Sequence, residues 1–485
     1  MKKVFNIIIK YWYISLLVIP VYFIFIHNLN LNPDLWFILN TGGYITEHGF
    51  FNIDPFTIHE GLSFCIQQWL VDIVFYYVHF FLGSKGLLIV IYLSSILLGF
   101  ILYKYFYLLS NNKKLSFIFS TICIALIGYN LITRPQLYDY IILILESYLL
   151  EKYIKTKNKK NLYPLPFLSL LFINIHASTW WFQYVFILPF IVNGLKIKKI
   201  NKDKYELKPI LIITLLMFIA GFINPYTYKL VIYLFKSYGM KEINKYITEM
   251  KRPLFDEIYF KVVIALFAII LFLINYFRNK LNTRYIFLFI GNLILYLMHQ
   301  RCYAFFIMYS FCCICILLKK VKFDFIELKN KYILLFINCI KINMIIIFII
   351  VTSYILYLNF KSVTIHSSLE PIGEYLEQHA TSQIKLFTDY DQGQYFEYLG
   401  YKVYIDSRAE LFYKKMNGKE DIFTEAVAVY TDMNYDYESF IKKYDFDYMV
   451  INPKRYIYKY LKEHYDEVKT VYIDDEPYYS LFKIK

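Results

Sequence analysis

Apolar runs long enough to cross a lipid bilayer, or nearly so, recur along this chain at about 11–27, 86–108, 115–132, 136–151, 162–177, 180–195, 209–223, 258–277, 284–300, 302–318 and 333–358. The hydrocarbon layer asks for roughly 20 apolar residues of straight helix, because no water is present there to satisfy an open backbone N–H or C=O. Repetition on that scale predicts a polytopic α-helical membrane protein with about 11 transmembrane helices. The runs at 162–177 and 180–195 are short for a crossing, as expected of half-helices meeting at depth. Composition agrees, since 58% of the 485 residues are hydrophobic, against roughly 45–50% in a soluble domain.

The formal charge of +14 does not point to nucleic acid, because the lysines cluster between apolar runs, where the positive-inside bias puts them. With a cytoplasmic N-terminus, the inner segments carry 24 Lys and Arg and the outer ones before the tail carry 9. An odd number of spans then places the tail outside the cell. The first run stands behind Lys2 and Lys3 without a small-x-small cleavage site after it, so it reads as an uncleaved anchor. Residues 1–360 are therefore expected to form the membrane domain, with a first outer loop at 28–85, and 361–485 a soluble extracytoplasmic domain. The run 64–82, "FCIQQWLVDIVFYYVHFFL", contains Gln67, Gln68, Asp72 and His79 and is expected to lie in the interface as an amphipathic helix.

From Ser362 the chain alternates β-type runs ("IKLFT", "YKVYID", "FDYMVI", "KTVYID") with helical ones ("SLEPIGEYLEQHA", "DIFTEAVAVYTD", "PKRYIYKYLKEHY"), which predicts a small α/β domain. The pair Asp389-x-Asp391 sits in "TDYDQGQY", a sequence typical of a strand-to-helix turn. The seven cysteines, among them Cys312, Cys313 and Cys315, lie mostly inside apolar runs and read as packing residues.

Orienting the spans collects polar residues on one face. Asp34 follows the first span, Arg134 and Gln136 the third, His176 ends the fifth, Asn224 the seventh and Arg301 the ninth. A charge near hydrocarbon costs about 2.5–3.5 kcal/mol on insertion scales, so polar groups delivered to one face by five loops point to a shared site. Transfer of a sugar from a lipid phosphate needs a base for the acceptor proton and cations for the departing phosphate. Asp34 suits the base, or, with Asp54, the ligand set of a divalent cation such as magnesium or manganese. Arg134 and Arg301 suit a phosphate, with His176 and Asn224 as further binding groups. Asp34 would also serve as the cap of a helix over "DLWFILNTGGYI", with Gly42 and Gly43 ending it.

The order "PDLWFILNTGGYITEHG", "IDPFTIHEG", "QQWLVDIVFYYVHFFLG", "RPQLYDY", "NIHAS", "INPYTYKL" and "DQGQYF…VYIDSRAELF" resembles bacterial membrane proteins of the GT-C superfamily. It is similar to protein O-mannosyltransferases and to the aminoarabinose transferases of lipid A. The resemblance implies a membrane-embedded glycosyltransferase of the bacterial cell envelope, using a polyprenyl-phosphate-linked sugar and an extracytoplasmic acceptor, with its site in the first outer loop. Those transferases often show an Asp-Glu pair after the first span; here Leu35 follows Asp34, and Asp54 or Glu47 would supply the second carboxylate. Two other classes remain open: a transporter or flippase of lipid-linked sugars, and a non-catalytic scaffold of envelope assembly.

Overall fold

The computed structural model describes residues 34–195, 205–237, 248–277, 281–320, Tyr354, 367–381 and 383–485. In chain order its main helices are α1 (Leu35–His48), α2 (Trp69–Ser110), α3 (Lys113–Ile127), α4 (Gln136–Thr156), α5 (Pro164–Ile175), α6 (Phe182–Gly194), α7 (Lys208–Ala220), α8 (Tyr228–Ser237), α9 (Ile258–Phe277), α10 (Thr283–Met298) and α11 (Tyr303–Leu317). After α12 (Glu370–His379) come β1 (Lys385–Phe387), α13 (Gly393–Tyr398), β2 (Lys402–Val403), α14 (Ile422–Thr431), α15 (Tyr437–Tyr444), β3 (Tyr448–Ile451), α16 (Tyr456–His464), β4 (Asp466–Ile473) and β5 (Glu476–Lys483). Chain contacts divide the molecule into two compact units: one of residues 1–30, 88–223 and 244–363, the other of 31–87, 224–243 and 364–485. The division differs from the expected one at 360/361, because the first outer loop packs with the C-terminal residues.

In the first, helical unit, nine of the apolar runs coincide with α2 to α7 and α9 to α11. The runs 11–27 and 333–358 lie outside the described residues, Tyr354 apart. Among the described residues three helices are long and apolar enough to cross a membrane: Trp69–Ser110, Ile258–Phe277 and Gln300–Leu317. The expected count of about 11 is therefore not reached among them; α5, α6 and α7 are only 12 or 13 residues long, too short for a straight crossing at 1.5 Å per residue. Local chemistry sets the boundaries. The Asn112 side chain accepts the Leu115 N–H at the start of α3, Pro164 opens α5, where a missing N–H costs nothing, and α11 buries Cys312, Cys313 and Cys315 among its apolar neighbours.

The second unit is built on a five-stranded sheet in the order β2-β1-β3-β5-β4, with β2, β1 and β3 parallel and β5 antiparallel to both β3 and β4. Its core gathers Leu386, Val403, Val450 and Leu481 from the sheet with Ile372, Leu376 and Phe396 from the helices, and Trp36 of α1 belongs to the same cluster. Trp36 packs on Tyr395 and Tyr398 with ring centroids 5.2 and 4.8 Å apart. The outer loop also extends the sheet edge, where the Ile58 N–H donates to the Val403 carbonyl at 2.9 Å.

Gly42 and Gly43 do not end α1, which continues to His48 and stops at Gly49 (φ 83). The glycine pair is a contact instead. A Cβ on Gly42 would lie 2.2 Å from the Asp72 carbonyl oxygen, and one on Gly43 2.9 Å from the Tyr76 ring, so only glycines let α1 and the start of α2 approach this closely. The run 64–82 becomes helical at Trp69 and continues into the next run, with the backbone breaking out of helical geometry at Gly83 (φ 61).

Candidate functional site

The six residues singled out in the sequence fall in both units. Arg134, His176 and Arg301 belong to the helical unit; Asp34, Asp54 and Asn224 belong to the second.

In the helical unit the first turn of α4 and the link from α5 to α6 meet. Asp139, fully buried, accepts from His176, whose Nδ1 lies 2.8 Å from both carboxylate oxygens. The Thr179 hydroxyl lies 2.9 Å from the same Nδ1 and donates to the His176 carbonyl at 3.2 Å. Since Nδ1 faces Asp139, the carboxylate fixes the ring, and Nε2 is the nitrogen left for a ligand. Arg301, on the turn before α11, acts electrostatically on Asp139. Its Nη1 donates to the Met250 sulfur at 3.6 Å, its carbonyl accepts from Gln136 at 3.4 Å, and it forms no ion pair among the described residues. Arg134 Nη1 pairs with Glu249. That partner is 115 residues away in sequence, beyond the reach of any local reading. Asp139 was missed as a site residue; its signal is a carboxylate in the first turn of α4, directly ahead of the apolar stretch 140–145.

In the second unit Asp34 opens α1 in helical geometry (φ −62, ψ −14) and makes no capping hydrogen bond, so the cap reading does not hold. Protein packed around Asp391 raises its pKa, and the charge of Asp34 raises it further; Tyr390 feels Asp34 as well. The carboxylate near Asp34 is thus Asp391, in the turn between β1 and α13. The start of α13 packs closely on the segment after β2, where a Cβ on Gly393 would lie 2.0 Å from the Ile405 carbonyl oxygen. Glu47 stands at the far end of α1, roughly 20 Å of helical rise from Asp34. Asp389 is a buried structural group: its Oδ2 accepts from Arg455 Nε at 3.2 Å and the Tyr479 hydroxyl at 3.1 Å. Burial raises its pKa, and Arg455 opposes the shift.

Asp54 is not placed as a base or a metal ligand. It is buried, its Oδ2 accepts the Thr57 N–H at 3.0 Å and hydroxyl at 2.7 Å, and its Oδ1 accepts Arg408 Nη1 at 2.5 Å. Arg408 also donates through Nε to both Asp406 oxygens at 3.0 and 2.9 Å and through Nη2 to Glu397 at 3.2 Å. Its guanidinium lies 5.1, 5.4 and 5.1 Å from the ring centroids of Phe37, Phe56 and Phe64. This is an ion cluster that fastens the outer loop to the C-terminal residues. The divalent cation expected on Asp34 and Asp54 does not fit a carboxylate so committed, and among the described residues no group of three or more His, Cys, Asp or Glu could hold a metal ion. Asn224 is also structural: its side chain accepts the Tyr226 N–H at 2.9 Å and donates to the Thr227 carbonyl at 3.2 Å, closing a turn in which Thr227 has φ 53.

One carboxyl of the cluster holds its proton more tightly than usual. Burial pushes Glu397 well above the usual range, Asp406 adds repulsion and Arg408 only partly opposes them. The folded state then binds this proton more tightly than the unfolded chain, so stability falls as pH rises from about 4.3, the ordinary Glu value, toward the raised one. Glu397→Gln keeps an acceptor for Arg408 and removes the titration. Its expected result is wild-type stability at acidic pH and a flatter loss above it, read from melting temperature against pH; a melting profile parallel to wild type would refute the assignment.

No family model matches the chain, and no curated protein matches it. Solved structures do. The oligosaccharyltransferase AglB of the archaeon Archaeoglobus fulgidus, in complex with an inhibitory peptide and a dolichol-phosphate, superposes with a TM-score of 0.61 at 12% identity, over 91% of this chain and 69% of that one. The Archaeoglobus fulgidus oligosaccharyltransferase tethered to an acceptor peptide containing the NVT sequon gives 0.60 at 12%, over 91% and 69%. Its apo form gives 0.61 at 12%, over 91% and 70%. At that identity the likeness is one of fold alone: this is a helix-rich chain with a small C-terminal sheet, folded like that oligosaccharyltransferase.

Proposed function

We propose that the chain is a membrane-embedded glycosyltransferase that moves a sugar from a polyprenyl-phosphate donor to an extracytoplasmic acceptor of the cell envelope, with the C-terminal residues outside the cell. The observation that carries this reading is the cation-and-imidazole pair of the helical unit: Arg301 without an ion pair among the described residues, and His176 fixed by Asp139. The fold likeness to an enzyme solved with a dolichol-phosphate supports it. In the reaction, the bond from the sugar's anomeric carbon to the phosphate oxygen breaks as the acceptor oxygen bonds to that carbon. The negative charge that grows on the leaving phosphate is met, in the helical unit, by Arg301 and by His176 through Nε2, and the acceptor proton goes to a carboxylate base, a role proposed for Asp34 on its sequence position. Asp391 is the second carboxylate beside Asp34, in place of Asp54. Arg134, already paired with Glu249, supports the phosphate less than Arg301 does.

The test is binding of a polyprenyl phosphate to the full chain in detergent. Arg301→Gln is expected to weaken it by about 2–5 kcal/mol, the range for a desolvated charge contact, and Arg134→Gln by less. Unchanged binding in both Arg301→Gln and His176→Ala would sink the reading.

A further inference from the structure

Two turns along α4 from Asp139 stands a carboxyl that nothing among the described residues pairs. Glu146 is 1% exposed, and neither of its oxygens has a hydrogen-bond partner. On α6, Gln183 is fully buried with neither its amide oxygen nor its nitrogen bonded. Native interiors satisfy such groups with protein, water or a ligand.

The two side chains belong to facing stripes. Asp139 and Glu146 are seven residues apart on one side of α4, and His176, Thr179 and Gln183 recur on one side of the segment leading into α6. The helices run in the same direction: Asp139 meets His176 and Thr179 at one end, while at the other Glu151 accepts from the Arg284 guanidinium at 2.8 and 3.0 Å and Asn193 from the Arg284 N–H at 3.2 Å. Glu146 and Gln183 lie between those two levels. The Glu146 carboxyl is within electrostatic reach of the hydroxyls of Tyr184, the neighbour of Gln183, and of Tyr309, and Tyr309 bonds Ser147 at 2.6 Å. Helices α4, α6 and α11 therefore converge on this carboxyl.

We propose that Glu146 and Gln183 form a buried site for one small monovalent cation, a proton or a sodium ion, held by the carboxylate and the amide oxygen. Hard cations take oxygen ligands, and an ionisable residue deep in an apolar helix bundle marks an ion or proton site. The site stands apart from the sugar-transfer reading and does not depend on it.

The experiment uses the wild-type full chain in lipid nanodiscs and dicyclohexylcarbodiimide, with peptide mass spectrometry as the readout. The reagent takes the proton of a neutral carboxyl onto nitrogen, the carboxylate adds to its central carbon, and an oxygen-to-nitrogen acyl shift leaves a stable N-acylurea; an ionised or cation-bound carboxylate does not react. Labelling at Glu146 that falls several-fold in sodium chloride but not in choline chloride identifies sodium as the occupant. Labelling that falls as pH rises and ignores sodium identifies the proton. Absence of label at every pH, or label that neither pH nor sodium changes, overturns the site. Gln183→Leu is expected to weaken the sodium protection, or to move the pH midpoint, several-fold; an unchanged profile removes Gln183 from the site.

Discussion

Replacing Arg408 with methionine is expected to destabilise the second unit by about 3–5 kcal/mol, the cost of leaving a buried charge without its partner. Burial alone disfavours the Arg408 charge, but Asp406, Asp54 and Glu397 more than offset that. Without the guanidinium, the Asp54 and Asp406 carboxylates lose their cation, and Phe37, Phe56 and Phe64 lose the group they surround. Lysine is no substitute, because a single ammonium cannot span the acceptors that the planar fork reaches at once. The loss should appear as a lower melting temperature of the full chain and as early proteolysis within 50–68. Adding Asp54→Asn and Asp406→Asn to Arg408→Met should recover part of the loss, because a buried ion cluster stabilises less than its broken remainder destabilises. Melting within about 1 kcal/mol of wild type would place Arg408 among ordinary surface contacts.

The helices were legible in the sequence because an apolar run is a local signal, and every run within the described residues is a helix. What the sequence hid is pairing over distance. Arg408 and Asp54 are 354 residues apart, and "DSRAELF" stood out only as part of a resemblance. The tail's strands β1 to β4 and helices α12, α14 and α16 were anticipated from alternation; α13, α15 and β5 were not, and the signal of β5 was Asp474-Asp475. Both have positive φ, 51 and 64, and they close a two-residue hairpin between Ile473 and Glu476, a turn that aspartate tolerates. The glycine pair of α1 was misread for a physical reason: glycine serves helix ends and close helix contacts alike, and only the partner helix, with its Asp72 carbonyl, decides between them.

Asp34→Asn is expected to reduce transfer from a lipid-linked sugar by roughly a hundredfold or more, as loss of a general base does, while leaving the melting temperature unchanged. The structure sharpens this expectation, because an aspartate that capped α1 would make a side-chain bond to the first turn, and Asp34 makes none. Asp34→Ala should then be equally inactive. Asp391 gives an independent check. Its pKa is raised first by the protein packed around it and then by the Asp34 charge, so removing that charge in Asp34→Asn should lower it. Carbon-detected titration of Asp391 in the two proteins would show the shift. Full turnover by Asp34→Asn would remove Asp34 as the base, and full turnover with an unmoved Asp391 would separate the two carboxylates altogether.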